Sequence, residues 1–135
     1  MKLTIETDYA LRIMLYLYNQ SKIISGTEIV TQCKIPERMG LKILSKLVGH
    51  KLLKSIKGIN GGFLFPNENL MISILDIIKV FESLQINRCL INVNECDYLR
   101  GNCAMCEELR KINNDMLEKF SKLLLKDIWQ KQQLK

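Results

Sequence analysis

Four of the five cysteines in the chain lie within eighteen residues, at the spacing C-x6-C-x6-C-x2-C. This cysteine cluster consists of Cys89, Cys96, Cys103 and Cys106. Thiolates are soft ligands that bind iron–sulfur clusters and zinc, and thiols also undergo reversible oxidation. Residues 85–102 have no sustained hydrophobic period, so we expect Cys89 and Cys96 on a loop, directly before Cys103 and Cys106, that can close around a metal. The sequence therefore predicts metal or redox chemistry in this segment.

The spacing alone leaves three chemistries open. An iron–sulfur cluster suits four soft thiolates on a flexible loop. Zinc also accepts four thiolates, but only Cys103-x2-Cys106 has the tight spacing usual for it. A thiol–disulfide switch needs no metal. Inert thiols are a poor explanation for four cysteines in one polar loop.

The remaining residues do not indicate an enzyme. A thiol oxidoreductase could be built on Cys103-x2-Cys106, but no strand–helix–strand pattern surrounds these residues. The chain has one histidine and no glycine-rich phosphate loop followed by a helix. The fifth cysteine, Cys33, stands among apolar neighbours at the end of a short predicted helix, and we expect it to be buried as a small hydrophobic residue.

Positive charge is confined to the first half of the chain. The whole chain carries a formal charge of +6, and residues 1–66 hold ten Lys/Arg and four Asp/Glu, so 10 − 4 = +6. Residues 67–135 hold ten of each sign and are neutral. Such a basic half indicates a polyanionic partner, and nucleic acid is the partner that fits best.

The basic half has the pattern of a helix-turn-helix followed by a hairpin. Thr7 is predicted to cap the first helix and Thr27 a short second helix, and Pro36 suits the first turn of a third helix, ERMGLKILSKLVGH. In the third helix we expect Leu41, Ile43, Leu44, Leu47 and Val48 to face inward. Basic side chains and a serine share the opposite face of the helix, as in a helix that enters the major groove of DNA.

A glycine-rich turn after the third helix predicts a wing. LLKSIK and FLFP read as two short strands around GINGG. The wing would follow phosphates or enter the minor groove. The predicted DNA contacts of the third helix and the wing are Arg38, Lys42, Ser45, Lys46, Lys57 and Asn60.

The second half predicts two helices separated by the cysteine loop. Ser73 caps a helix with the sequence ILDIIKVFESL, residues 85–102 form the loop, and a long helix runs from Cys103 to Gln130. The apolar stripe of the long helix is too wide to be covered by one small domain, so we expect a homodimer that pairs through this helix.

Together these patterns predict a mostly α protein with a small β-hairpin wing and a long C-terminal dimerisation helix. We expect a DNA-binding domain over residues 1–66 and a sensory and dimerisation region over residues 67–135. No apolar run reaches the length of a membrane-spanning helix, and the N-terminus lacks the apolar stretch of a signal peptide. A cytoplasmic location is therefore predicted.

The order of LTIETDYALRIMLYL, then IPERMGLKILSKLVGHKLLKSIKGINGGF, then the cysteine cluster resembles the Rrf2 family of bacterial regulators. The resemblance covers essentially the whole chain. It implies a winged-helix dimer that binds a pseudo-palindromic operator, usually as a repressor. Known members of the family sense iron–sulfur cluster status, nitric oxide or cysteine metabolism.

The resemblance also implies a ligand set for a 2Fe-2S or 4Fe-4S cluster. Cluster-binding members use three cysteines at similar, slightly shorter spacing, and these match Cys89, Cys96 and Cys103 by order. Their fourth ligand varies. One type uses a histidine three residues after the third cysteine, where this chain has Cys106. Another uses an aspartate in the TDYALR segment of the partner subunit, where this chain has Asp8.

Overall fold

The computed structural model describes residues 2–100 and 102–135, so Gly101 in the predicted cysteine loop lies outside the described residues. The first half contains three helices and two strands: α1 (Ile5–Leu17), α2 (Gly26–Cys33), α3 (Glu37–Gly49), β1 (Lys54–Ile56) and β2 (Gly62–Leu64). The second half contains α4 (Ile74–Phe81), α5 (Arg88–Ile91), α6 (Ala104–Lys122) and α7 (Leu125–Gln133). The predicted fold class, mostly α with a β-hairpin, is confirmed.

The core is built around α1, which packs against α2, α3, α4 and α7. Its fully buried residues include apolar side chains from each of the first four helices, among them Ile13, Met14, Leu17, Ile29, Ile43, Leu44, Leu47, Ile77 and Ile78. The helices after the wing therefore share one core with the helices before it. The predicted domain boundary after Pro66 stays a prediction.

Two of the three predicted helix caps are wrong. The hydroxyl of Thr4, not Thr7, accepts the hydrogen bond from the first turn of α1, because the Thr7 side chain is buried and donates to Glu82 instead. The N-cap of α2 is Ser25, two residues before Thr27. The predicted Ser73 cap of α4 is confirmed and forms a reciprocal capping box with Asp76.

A three-residue turn, residues 34–36, joins α2 to α3. Lys34 has left-handed backbone angles, φ 54° and ψ 52°, and ends α2. Pro36 precedes the first residue of α3, where its missing N–H costs no helical hydrogen bond. The turn and the two helices form the predicted helix-turn-helix.

The predicted single helix from Cys103 to Gln130 is wrong, because the chain breaks it at Leu123 and Leu124. At this point the backbone pairs with the residues before α4 instead of continuing the helix. The N–H of Ile74 donates to the carbonyl of Leu123 at 2.8 Å, and the N–H of Leu125 donates to the carbonyl of Ile72 at 2.9 Å. The break lets Leu125 enter the core and places α7 against α1.

The predicted loop at residues 85–102 contains short helices. It holds α5 and a single 3-10 turn, Val93–Glu95, and another 3-10 turn, Asn67–Asn69, follows the wing. Elements of four residues or fewer are too short to show a hydrophobic period, which is why the sequence did not reveal them. None of the helices in residues 2–100 and 102–135 is both long and apolar enough to cross a membrane.

Candidate functional site

The outer face of α3 presents the predicted basic residues to solvent. All four predicted contact residues of this helix are exposed: Arg38, Lys42, Ser45 and Lys46. Ile43, Leu44 and Leu47 are buried on the opposite face as predicted. Leu41 differs from the prediction, since it is exposed. An exposed basic face on the second helix of a helix-turn-helix matches the geometry that docks into a major groove.

Both lysines of this face have partners on neighbouring helices. The ammonium of Lys42 lies 3.2 Å from the carboxylate of Glu6 on α1. The ammonium of Lys46 lies 4.9 Å from the ring centroid of Phe81 on α4, a cation–π contact. Exposed ion pairs and exposed cation–π contacts are each worth about 1 kcal/mol or less, so phosphate groups can compete for both lysines.

The wing projects Lys57 and Asn60 into solvent between β1 and β2. The strands pair antiparallel, with Ile56 opposite Gly62. The wing is anchored to the body by a second antiparallel bridge, in which Ile24 and Phe63 exchange two backbone hydrogen bonds of 3.0 and 2.8 Å. Gly62 has φ +155°, and a Cβ there would lie 2.3 Å from the carbonyl of Ile24, so only glycine fits this close approach.

The four cysteines of the cluster line one cavity between α5 and the start of α6. The cavity has a volume of about 210 Å³ and is also lined by Asn87, Arg88, Glu95 and Met105. Cys106 is buried, and the other three thiols are partly exposed. In the part of the chain that the structure describes, no three Cys, His, Asp or Glu side chains converge closely enough to hold one metal ion. The fold gathers the thiols into one place without arranging them as a finished cage.

The surroundings of the thiols differ. Backbone hydrogen bonds from Leu99, Tyr98 and Arg100 lower the pKa of Cys96. The pKa of Cys89 is raised, mainly by a hydrogen bond with the Cys106 thiol and to a smaller extent by burial. The guanidinium of Arg110, one turn after Cys106 on α6, lies 3.7 Å from the Cys106 sulfur. Backbone amides and a guanidinium both stabilise negative charge, which suits thiolate ligands.

Two other predicted residues lie apart from this cavity. Asp8 accepts a hydrogen bond from Arg12 at 2.8 Å and lines a different depression from the one that the four cysteines line. Its role as a ligand from a partner subunit stays a prediction. Cys33 is buried as predicted, and burial raises the pKa of its thiol to about 11.

Asn113 on α6 has a structural role that the sequence patterns did not predict. It is buried, its side-chain oxygen accepts from the N–H of Ile86 at 3.0 Å, and its amide donates to Gln85 at 3.2 Å. These bonds attach Gln85 and Ile86 to α6, and these are the first two residues of the segment that contains the cysteine cluster, residues 85–106, called the cysteine segment below. The signal was present in the sequence, since Asn113 is a polar residue within the apolar stripe of Leu109, Met116 and Phe120.

Comparison with known proteins gives consistent matches over almost the whole chain. The model of the Rrf2 family, described as iron-dependent transcriptional regulators, matches residues 3–131. The protein aau3 of Rhizobium meliloti (strain 1021) is 30% identical over 131 residues, which is 95% of this chain and 84% of that protein.

Two solved structures have a similar fold. CymR (YrzC), the global cysteine regulator of B. subtilis, superposes with a TM-score of 0.76 at 24% identity and covers 96% of this chain and 97% of its own. IscR of T. potens superposes with a TM-score of 0.76 at 19% identity and covers 97% of this chain and 88% of its own. At these identities the structures show the fold alone.

Proposed function

The chain belongs to the Rrf2 family of DNA-binding transcriptional regulators, which are not enzymes, and from this premise we propose that it is a repressor controlled by an iron–sulfur cluster. The observation that carries the proposal is the single cavity lined by Cys89, Cys96, Cys103 and Cys106. The family description, iron-dependent transcriptional regulator, supports the same assignment.

Operator binding is assigned to α3 and the wing. Arg38, Lys42, Ser45 and Lys46 approach the major groove, and Lys57 and Asn60 contact the neighbouring backbone or minor groove. The exposure of all six side chains and the confinement of the excess charge to residues 1–66 support this assignment. A lysine on the recognition helix can contact a guanine edge, whereas wing contacts to phosphate mainly fix position.

The donor set of the cavity fits an iron–sulfur cluster. Four thiols in one segment supply the full complement of soft ligands, and the guanidinium of Arg110 offsets the negative charge that such ligands accumulate. When bound, the cluster would supply a group that reacts with oxidants or nitric oxide, and its occupancy would follow the supply of iron. The cysteine segment holds few buried residues, so its thiols can move together at little cost in packing.

A metal-free thiol switch or a zinc site on the same four residues is the second candidate. The absence, within the described residues, of three converging ligands favours a thiol switch, because such a switch needs only pairs of thiols. The fold is shared with a solved cysteine regulator, which also makes cysteine status a signal to test. Zinc would use the closely spaced Cys103 and Cys106 together with the other two.

A homodimer is proposed through α6. Large apolar side chains of this helix and of the break after it remain exposed in one chain, among them Met105, Ile112 and Leu123. A pseudo-palindromic operator requires two recognition helices related by a two-fold axis, and pairing of α6 with its copy supplies that symmetry.

Contacts within the chain offer a route from the cysteines to α3. Cys106 lies in the first turn of α6, and Asn113 on the same helix holds the segment that follows α4. At the end of α4, Glu82 accepts hydrogen bonds from Thr4 and Thr7 at the start of α1. A change in the cysteine segment can therefore reposition α4 and α1, which both contact α3.

The first experiment is anaerobic purification followed by an absorption spectrum, with iron, sulfide and zinc measured on the same sample. Visible absorption together with iron and acid-labile sulfide supports the proposal. A colourless sample that also fails cluster reconstitution contradicts it. Zinc content or its absence then separates the zinc site from the thiol switch.

A further inference from the structure

The tip of the wing, residues 57–61, carries a fully exposed isoleucine. Ile59 has a relative exposure of 104%, so its side chain contacts no other described part of the chain. It stands at the second position of a β-turn that is closed by a 3.0 Å hydrogen bond from the N–H of Gly61 to the carbonyl of Gly58. The tip therefore presents an apolar side chain outward from the protein.

The tip is held firmly. A Cβ on Gly61 would lie 2.2 Å from the carbonyl of Ile56, so the turn packs directly on β1. The two backbone hydrogen bonds between Ile24 and Phe63 anchor the base of the wing to the body. When backbone contacts already hold a turn in one conformation, an apolar side chain on that turn loses less conformational freedom on binding a partner.

Local structure gives no reason for isoleucine at this position. Turns favour Gly, Pro, Asn, Asp and Ser, and β-branched residues prefer strands. A single exposed apolar residue on a flat surface needs no explanation. Here, however, the residue stands in the turn of the wing, two residues after the exposed Lys57 and within the basic half of the chain, whose excess positive charge attracts polyanions.

We propose that Ile59 is an apolar wedge that enters the minor groove of the operator and partly opens a flexible base step. Proteins that bind the minor groove insert isoleucine, leucine or phenylalanine between base pairs and bend the duplex. Pyrimidine–purine steps unstack most easily, so the wedge reads deformability at a position where no hydrogen bond is made. Lys57 contacts the flanking phosphates and fixes the depth of entry. This inference rests on the DNA-binding function proposed above.

The test uses a duplex of about 30 base pairs that the unaltered chain enriches from a random pool. The base 2-aminopurine, which fluoresces when it is unstacked, replaces adenine at each candidate step in turn. The variant is Ile59→Ser. The control is Leu134→Ser, which removes a similar side chain that is 90% exposed at the far end of the chain.

Unaltered chain and Leu134→Ser are expected to raise the fluorescence at one step in each half-site. Ile59→Ser is expected to lose that signal, reduce the bend of the duplex and weaken binding about tenfold, because the apolar contact is lost. Its melting temperature is expected to stay unchanged, since the side chain packs against nothing.

Three results would overturn the wedge. The first is equal affinity and equal fluorescence for Ile59→Ser and the unaltered chain. The second is weaker binding of the variant with no fluorescence rise for the unaltered chain, which would mean a contact without opening. The third is unchanged DNA binding with lost repression in a transcription assay, which would assign the tip to a protein partner. Failure of the unaltered chain to enrich any duplex would instead reject the DNA-binding function itself.

Discussion

At the scale of single residues, the four cysteines of the cluster have unequal surroundings although they line one cavity. Cys96 accepts backbone hydrogen bonds that favour its thiolate, and Cys106 is buried beside Arg110. Charged thiolates need such compensation when they leave water. The surroundings of Cys96 thus favour an anionic ligand, whereas those of Cys89 favour the protonated thiol.

Cys96→Ala is expected to reduce cluster occupancy by at least about tenfold, because it removes one ligand of the set. The measurement is iron and sulfide per chain after anaerobic reconstitution. Cys33→Ala is the matched control, since Cys33 is buried in the core away from the cavity and should retain the cluster. The assignment fails if Cys96→Ala leaves both bound iron and operator affinity unchanged.

Lys42→Ala is expected to weaken specific DNA binding by about 1–3 kcal/mol, and Lys111→Ala is expected to have little effect. The two lysines are a matched pair. Both are mainly exposed, 72% and 60%, and both pair with glutamate. Only Lys42 lies on α3. Affinity measured by fluorescence anisotropy across a salt series checks this, and equal losses would remove the assignment of α3 as recognition helix.

At the scale of elements, the carboxylate of Glu82 joins the end of α4 to the start of α1. It accepts hydrogen bonds from the N–H of Thr4 at 2.8 Å, from the Thr4 hydroxyl at 3.1 Å and from the Thr7 hydroxyl. Burial raises the pKa of Glu82, but these hydrogen bonds outweigh it and leave the pKa below its ordinary value. The carboxylate therefore stabilises the folded chain while it is ionised.

Glu82→Gln is expected to lower the free energy of unfolding by about 1 kcal/mol at neutral pH, because an uncharged amide is a weaker acceptor. A lowered folded pKa contributes stability above the ordinary glutamate value of 4.5, and the contribution is lost as pH falls through the folded value. Urea unfolding at several pH values should therefore show the two proteins converging as the pH falls below 4.5 and through the lowered pKa of Glu82.

The control is Glu118→Gln, which removes an exposed ion pair with Lys122 on α6 and should leave stability nearly unchanged. A destabilisation of Glu82→Gln that stays the same at acid pH would contradict the role of the ionised carboxylate.

The helix caps and the break after α6 show which local features can be predicted from the sequence alone. The Ser73 cap was predictable because its partner, Asp76, lies three residues away. The cap of α1 was not, because the choice between Thr4 and Thr7 depends on Glu82, which is distant in sequence. The break at Leu123 likewise depends on pairing with the residues before α4. Periodicity reports the faces of helices, and it is silent about tertiary hydrogen bonds.

The site was predictable to a similar extent. Helical spacing was enough to predict that the basic side chains of α3 are exposed. The proximity of the cysteines in the sequence was enough to predict that they lie together. The partners of Lys42 and Lys46 and the role of Asn113 required the packing of α1, α4 and α6.

At the scale of the whole molecule, DNA recognition as proposed needs two chains. One chain leaves apolar residues of α6 exposed while its own core is complete without them. Burial of such a face against a second copy is the arrangement expected of a two-fold regulator.

Ile112→Asp is expected to shift the chain from dimer to monomer, because it places a charge on the apolar face of α6. Analytical ultracentrifugation measures the change. Met71→Asp is the matched control, since Met71 is similarly exposed, 62% against 59%, and lies off this helix. A dimer that persists in Ile112→Asp and dissociates in Met71→Asp would place the interface elsewhere.

Control of operator affinity by the state of the cysteine cluster is the main feature of the proposed function. Its most direct test is the Kd of one anaerobic preparation for its selected duplex, measured before and after cluster removal, with Cys96→Ala treated in parallel. We predict that removal changes the Kd of the unaltered chain by about tenfold or more. We also predict that Cys96→Ala matches the cluster-free protein throughout. An identical Kd before and after removal would contradict the claim and leave a DNA-binding protein whose signal lies elsewhere.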